Sequence, residues 1–175
     1  MKFSIQPVLE NEKYQLIPLQ QGDFESLYKV ASDPEVWNQH PNKDRYRREV
    51  FRTFFEGGME SGGAFKIIEK STGEILGSTR YYDYDKQNNS IFIGYTFYGR
   101  KSWGKGINPQ IKKLMLDYIF QFVEVVHFHI GKENYRSQIA LERLGGQKIA
   151  EQDVAYFGEP TRTNFVYEIK KENWL

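Results

Sequence analysis

The sequence predicts an α/β fold built on a mixed, mostly antiparallel sheet, and three observations carry that reading. Segments with strand and helix character follow one another in the order β-α-α-β-β-β-α-β-α-β-β. The middle of the chain holds consecutive β-rich runs joined by turn residues, the pattern of an antiparallel meander. Two later strands are each separated from their neighbours by an amphipathic helix, which allows parallel pairing where the helix crosses over.

The elements follow in order. Tyr14–Gln20, YQLIPLQ, reads as a first strand. GDFESLYKVAS reads as a helix with Asp23 as its N-cap, and Pro34 ends it by disfavouring helix in the residue before. In NKDRYRREVFRTFFEGG, residues Tyr46, Val50, Phe51, Phe54 and Phe55 recur at helical spacing, with Gly57-Gly58 as the stop. The basic side of that helix, Arg45, Arg47, Arg48 and Arg52, reads as a solvated face. AFKIIEKSTGEILGSTRYYDYD forms a hairpin turning at Ser71-Thr72-Gly73, and NSIFIGYTFYG adds another strand. Ile111, Leu114, Met115, Tyr118, Ile119 and Phe122 then describe an amphipathic helix. VEVVHFHIG is a strand, NYRSQIALERLGG a helix closed by glycines, and QKIAEQDVAYF with TNFVYEIKK a last strand pair, whose C-terminal edge could receive a second copy.

Composition narrows the function. The chain has 175 residues and no repeat, low-complexity tract or linker, so residues 1–175 are expected to form a single domain. Lys and Arg number 24 against 23 Asp and Glu, a balance that speaks against a nucleic-acid binder using RYRREVFR. With no cysteine there is no disulfide, thiolate metal site or cysteine nucleophile. No apolar run approaches the roughly 20 residues of a membrane helix, and MKFSIQPVLENEKYQLIPL lacks a signal-peptide core. A cytoplasmic protein without membrane or nucleic-acid partners is expected, either monomer or homodimer.

The stretch GRKSWGKGINPQIKK is the most informative one. Asn108 is a good N-cap and Pro109 suits the first helical position, so a helix is expected to start just after WGKGI. Its free N–H groups and dipole make an anion site, Gly104 and Gly106 permit close backbone approach, and Arg100, Lys101 and Lys105 add charge. The hydroxyl residue of a phosphate-binding P-loop is missing after Lys105, and Pro109 breaks the dinucleotide pattern G-x-G-x-x-G. A pyrophosphate held by backbone amides without metal fits best.

These residues resemble the GNAT acyl-CoA N-acyltransferases, whose motif reads Arg/Gln-x-x-Gly-x-Gly/Ala; here it is Lys101-Ser-Trp-Gly104-Lys-Gly106. ASDPEVW, IGYTF and ENYRSQIALERLGG agree with the branch that includes ribosomal-protein N-terminal acetyltransferases, over about Tyr14–Glu168. The resemblance implies a sheet splayed in its middle and flanked by about four helices, with acetyl-CoA in the opening as co-substrate and no metal. Backbone groups of Tyr95, Thr96, Phe97 and Tyr98 would pair with the pantetheine arm. The amides from Ser102 through Trp103, Gly104, Lys105, Gly106 and Ile107 to Asn108 would hold the pyrophosphate, beside Lys101. Asn134 and Ser137 would touch the pantetheine end.

The pattern departs from the family at the chemistry. Many relatives carry a general-acid Tyr seven residues after the Asn, and here that position is Leu141. Many carry a Glu shortly before IGY, and here Ile91 and Phe92 stand there. Gly146 stands where Phe is usual. Transfer to an amine needs a neutral nucleophile, a polarised thioester carbonyl and a proton for the leaving thiolate. The catalytic candidates are His127 and His129, which alternate on one face of VHFHI, and Tyr135; Tyr81 and Tyr82 are further hydroxyl donors. On the substrate side the candidates are His40, Tyr82 and Asp83, with Asp85 near. The expected activity is acetyl transfer from acetyl-CoA to a primary amine, a protein N-terminus or a small molecule. The competing reading is a non-catalytic acyl-CoA-binding or regulatory protein on the same fold.

Overall fold

In the computed structural model, which describes residues 1–174, eight strands form one sheet in the order β1-β2-β3-β4-β5-β6-β8-β7. The strands are β1 (Leu9–Glu10), β2 (Tyr14–Pro18), β3 (Ala64–Glu69), β4 (Ile75–Asp85), β5 (Ser90–Tyr98), β6 (Val125–Gly131), β7 (Gln147–Val154) and β8 (Arg162–Lys170). The helices are α1 (Phe24–Ala31), α2 (Arg48–Ser61), α3 (Ile107–Ile119), α4 (Tyr135–Arg143) and the single turn α5 (Lys171–Trp174). All neighbouring strands pair antiparallel except β5 and β6, which α3 connects in parallel. The expected mixed sheet and element order are therefore present, with β1 and α5 added at the ends. The strand at the far edge is β7, not the C-terminal strand, because β8 folds back between β6 and β7.

The core lies on both faces of the sheet. Ile107, Ile111, Met115, Leu116 and Ile119 of α3 and Leu141 of α4 pack with Ile91, Ile93, Val126 and Phe128 on one side. On the other side Leu27, Trp37, Phe51, Phe54, Phe55 and Phe97 form a second cluster beneath α1 and α2. Trp37 is fully buried and its Nε1 donates to Ala31 O at 2.8 Å.

Local chemistry corrects several expectations. Gly57 and Gly58 do not stop α2; the helix runs on to Ser61 and closes at Gly62, which takes φ +65°. The glycine pair serves close packing instead. A Cβ at Gly57 would meet Phe157 at 3.2 Å, and one at Gly58 would meet Arg80 Nη2 at 3.2 Å. Asp23 does not cap α1. It closes a preceding 3-10 turn, accepting from Gln20 N–H at 2.8 Å, and pairs with Lys66 at 2.8 Å. Arg45 is not on a solvated face: it precedes α2, is 3% exposed and forms a bidentate pair with Glu159.

Where β4 and β5 run together, Gly77 makes the closest approach. A Cβ there would lie 1.9 Å from Phe97 O. Gly77→Ala is expected to prise this ladder apart and destabilise the fold by about 3 kcal/mol, the upper range for point substitutions, read from urea unfolding. An unchanged midpoint would show that the strands tolerate separation there.

Candidate functional site: a splayed-sheet cleft

The cleft begins where β5 and β6 part. Their pairing covers only Ser90–Val125, Ile91–Val126 and Phe92–His127, and then stops although both strands continue. Just beyond that point β5 carries a bulge. Tyr95 sits at φ +54°, a left-handed conformation that side chains rarely adopt, and the β4–β5 register shifts between Ser78 and Arg80. Aromatic stacking over-determines that backbone: the Arg80 guanidinium lies 3.7 Å from the Tyr95 ring centroid and donates to Phe54 O at 3.1 Å. Burial draws the pKa of Arg80 down to about 10 and pushes that of Tyr95 up to about 12.

The opening is a cleft of about 880 Å³. Residues 93–98 of β5 form one wall and Phe128–Gly131 of β6 the other. Trp103, Gly104 and Gly106 lie at one end, beside Asn134, Arg136 and Ser137. His40, Arg45 and Tyr156 also line it, with Tyr135 on its surface. Among the described residues that line it, none is acidic.

The glycine loop takes a form slightly different from the expected one. The cap of α3 is Gly106, at φ +71°, and the helix begins at Ile107. Asn108 is already inside the helix and its Oδ1 accepts from the Tyr98 hydroxyl at 2.9 Å, so it tethers the end of β5 rather than capping. Residues Arg100–Ser102 make a 3-10 turn that engages the Ser102 and Trp103 amides, at 2.9 and 3.0 Å. The N–H groups of Gly104, Lys105 and Gly106 have no backbone partner among the described residues. They lie immediately before the positive end of α3. Arg100 and Lys101 are tied to Asp33 and Glu74, which leaves Lys105 as the cation of this loop without an ion pair among the described residues. Asn134 caps α4 by accepting from Ser137 N–H at 3.4 Å.

The catalytic candidates are separated by the structure. His129 lines the cleft; its Nδ1 lies 3.1 Å from the Tyr82 hydroxyl and its Nε2 3.3 Å from Gln152 Oε1. Burial lowers its pKa, so it stands neutral at pH 7. His127 lies where β5 and β6 are still paired, outside the cleft, and faces Glu168 Oε2 at 3.2 Å. Tyr135 is 62% exposed on the cleft rim. Tyr81 is engaged with Met115 O at 2.6 Å inside the core. Of the substrate-side candidates, His40 lines the cleft against Trp37, and burial, with Arg45 and Arg136 adding to it, lowers its pKa to about 3. Tyr82 is buried beneath Gly94, and Asp83 lies exposed in a separate recess with Asp85 and His127.

Reasoning from the sequence missed Lys112, Arg45, Arg136 and Tyr156 as lining residues. Arg136 stacks 3.7 Å over the Trp103 ring, and Lys112 is 5% exposed within the core stripe of α3. The signal for Lys112 was a lysine beside Ile111 on a helix stripe that is otherwise apolar.

Residues 14–147 match the family model described as "Acetyltransferase (GNAT) domain". The chain belongs to the GNAT acetyltransferase family. It is an acetyl-CoA-dependent acetyltransferase by that membership. A Bacillus licheniformis protein named "Uncharacterized N-acetyltransferase p20" is 29% identical over 147 residues, covering 80% of this chain and 82% of that one. The crystal structure of a GCN5-related N-acetyltransferase from Brucella melitensis superposes with TM-score 0.81 at 19% identity, covering 97% and 80% of the two chains. Mycobacterium smegmatis RimJ in complex with CoA-disulfide superposes with TM-score 0.72 at 17% identity, covering 95% and 87%. Both likenesses are to the fold as a whole.

Proposed function

We propose that residues 1–175 act as one catalytic domain that moves an acetyl group from acetyl-CoA to a primary amine by direct attack in a ternary complex. The observation that carries this is the junction of two features. An open β5 edge runs from the sheet splay to three unengaged loop amides ahead of α3. A pantetheine arm can add to that edge as a strand would, while its pyrophosphate meets Gly104–Gly106 and the α3 dipole. Tyr98 O is less available, because Trp103 Nε1 donates to it at 3.1 Å. Arg136 and Arg143 flank the same end and suit the remaining phosphate charge. RimJ, similar in fold, is itself in complex with CoA-disulfide, which supports a coenzyme A ligand for this chain.

In this reading the acceptor enters past Tyr95 and Tyr156, whose rings pack together on the cleft wall. Among the described residues no carboxylate lines the cleft; the nearby Glu159 is held by Arg45. A polycation such as a polyamine has no counter-charge to meet there. A singly charged α-amine, with a pKa of roughly 8, also loses its proton more readily than a lysine near 10. The preferred acceptor is therefore an α-amine, as at a peptide N-terminus. His129, neutral and lining the cleft, is the candidate base of this reading; with its ring nitrogens beside the Tyr82 hydroxyl and Gln152, the proton would reach it through Tyr82 or water.

Calorimetric titration with acetyl-CoA, followed by thiol release on adding amines, tests this reading. One equivalent should bind in the micromolar to low-millimolar range typical of enzyme substrates, and α-amino peptides should release thiol faster than spermidine. Binding without thiol release from any amine would favour the acyl-CoA-binding regulatory alternative, and the absence of binding would remove both.

A further inference from the structure

Lys112 is a group in the cleft that this reading leaves unused. It occupies α3 between Ile111 and Met115, where neighbouring side chains are fully buried. Burying an ammonium without a carboxylate is unfavourable, and no ion pair reaches Lys112 among the described residues. Its Nζ donates to Thr96 Oγ1 at 2.9 Å, and that oxygen lies 2.9 Å from Thr79 Oγ1. An ammonium has three donors, so two remain for a ligand in the cleft that the side chain lines. Burial lowers its pKa to about 7, and no charged group on the elements around it contributes to that shift.

The placement gives the group a task. Thr96 lies on β5 just past the bulge, on the stretch that no longer pairs with β6. Lys112 follows the start of α3 by a turn and a half, on the order of 8 Å along the axis at 1.5 Å per residue. An arm anchored at Gly104–Gly106 and running along β5 therefore passes Thr96 and Lys112 on its way to the splay, within reach of the long Lys112 side chain. Three tyrosine hydroxyls nearby are engaged: Tyr98 with Asn108, Tyr81 with Met115 O and Tyr156 with Asn164; the Tyr95 hydroxyl is held in its neutral form by burial. At the position where many relatives carry a general-acid Tyr, α4 gives the cleft the apolar Leu141.

We propose that Lys112 is a catalytic residue whose ammonium meets the coenzyme A sulfur and protonates it as the carbon–sulfur bond breaks. The proposal rests on the acetyltransferase reading. In the step, the acceptor nitrogen bonds to the acetyl carbon and the carbon–sulfur bond gives its electron pair to sulfur. One proton passes from Lys112 Nζ to that sulfur. The proton released by the acceptor nitrogen leaves to the cleft base or water, and Lys112 regains one from solvent. Negative charge growing on sulfur favours the ammonium form of Lys112 until the transfer occurs.

The test uses the thiol product, so no acceptor is needed. Free CoA is bound to wild type, Lys112→Met and Thr96→Val proteins, and its thiol is titrated by the ultraviolet absorbance of the thiolate. Wild type should lower the bound thiol pKa by about one unit or more, a tenfold effect of a neighbouring cation. Lys112→Met should abolish the shift, and Thr96→Val, which frees the ammonium from its anchor, should diminish it. Desulfo-CoA should bind wild type and Lys112→Met equally, which separates the sulfur contact from a general loss of structure. A thiol pKa that is the same in wild type and Lys112→Met, with CoA bound to both, overturns the proposal. If CoA does not bind wild type at all, the acetyltransferase reading and this inference fall together.

Discussion

Gly104→Glu is expected to weaken acetyl-CoA binding at least a hundredfold while leaving a folded protein. The position is exposed, takes φ +72°, and a Cβ there meets nothing within 4 Å. The new side chain therefore has room, and the change acts through charge and backbone. A carboxylate would occupy the site where the free amides of Gly104–Gly106 and the α3 terminus receive a pyrophosphate. A hundredfold loss corresponds to about 2.8 kcal/mol. The left-handed backbone adds about 1–2 kcal/mol of strain to the folded state, a fall in Tm of several degrees for a chain of this size. Gly104→Ala shares the strain but not the charge. Titration of both variants alongside thermal melts separates the two effects. If Gly104→Glu binds acetyl-CoA as wild type does, the phosphate site lies elsewhere.

Glu159→Ala is expected to destabilise the protein by about 3–5 kcal/mol, because it leaves the Arg45 guanidinium buried without its partner. The pair is 3% and 4% exposed at the side chains and is joined by hydrogen bonds of 2.9 to 3.2 Å. The guanidinium also lies over Phe54, Trp37 and Tyr156, so it has no route to water without disrupting those contacts. A fall in Tm of about 10 °C follows for a chain of this length. Replacing both partners, as Arg45→Met with Glu159→Leu, should recover most of that loss, since an apolar pair leaves no uncompensated charge. The pair also pins the β7–β8 connection, which carries Tyr156 of the cleft wall, where the proposed acceptor would enter. The Glu159→Ala variant should therefore raise the acceptor KM while acetyl-CoA affinity changes little. A destabilisation below about 1 kcal/mol, the range of surface pairs, would show that Arg45 finds solvent when its partner is removed.

Much of the fold was legible in local patterns. The strand and helix order followed from alternation and helical spacing, and the tight loop before α3 followed from glycines placed ahead of an amphipathic helix. The helix read from NYRSQIALERLGG is present as Tyr135–Arg143, started by the local hydrogen bond of its Asn134 cap. Local rules also misled. Gly57-Gly58 looked like a stop, yet both residues stay helical because Phe157 and Arg80, from distant strands and loops, need the space a Cβ would fill. Asn108 looked like a cap, yet Gly106 takes that role and Asn108 serves Tyr98. The two histidines of β6 looked equivalent, yet β5 and β6 part between them, so His129 lines the cleft and His127 does not.

By itself the sequence determined the elements, their order, the glycine loop and the family pattern, because each rests on residues near one another in the chain. The tertiary structure alone decided which charges are buried and which residues share the cleft. Arg45 and Glu159 are 114 positions apart, and Lys112 and Thr96 are 16 apart across a helix–strand interface. Desolvation depends on what packs around a group, and only the folded sheet, parted after Phe92, brings those surroundings together.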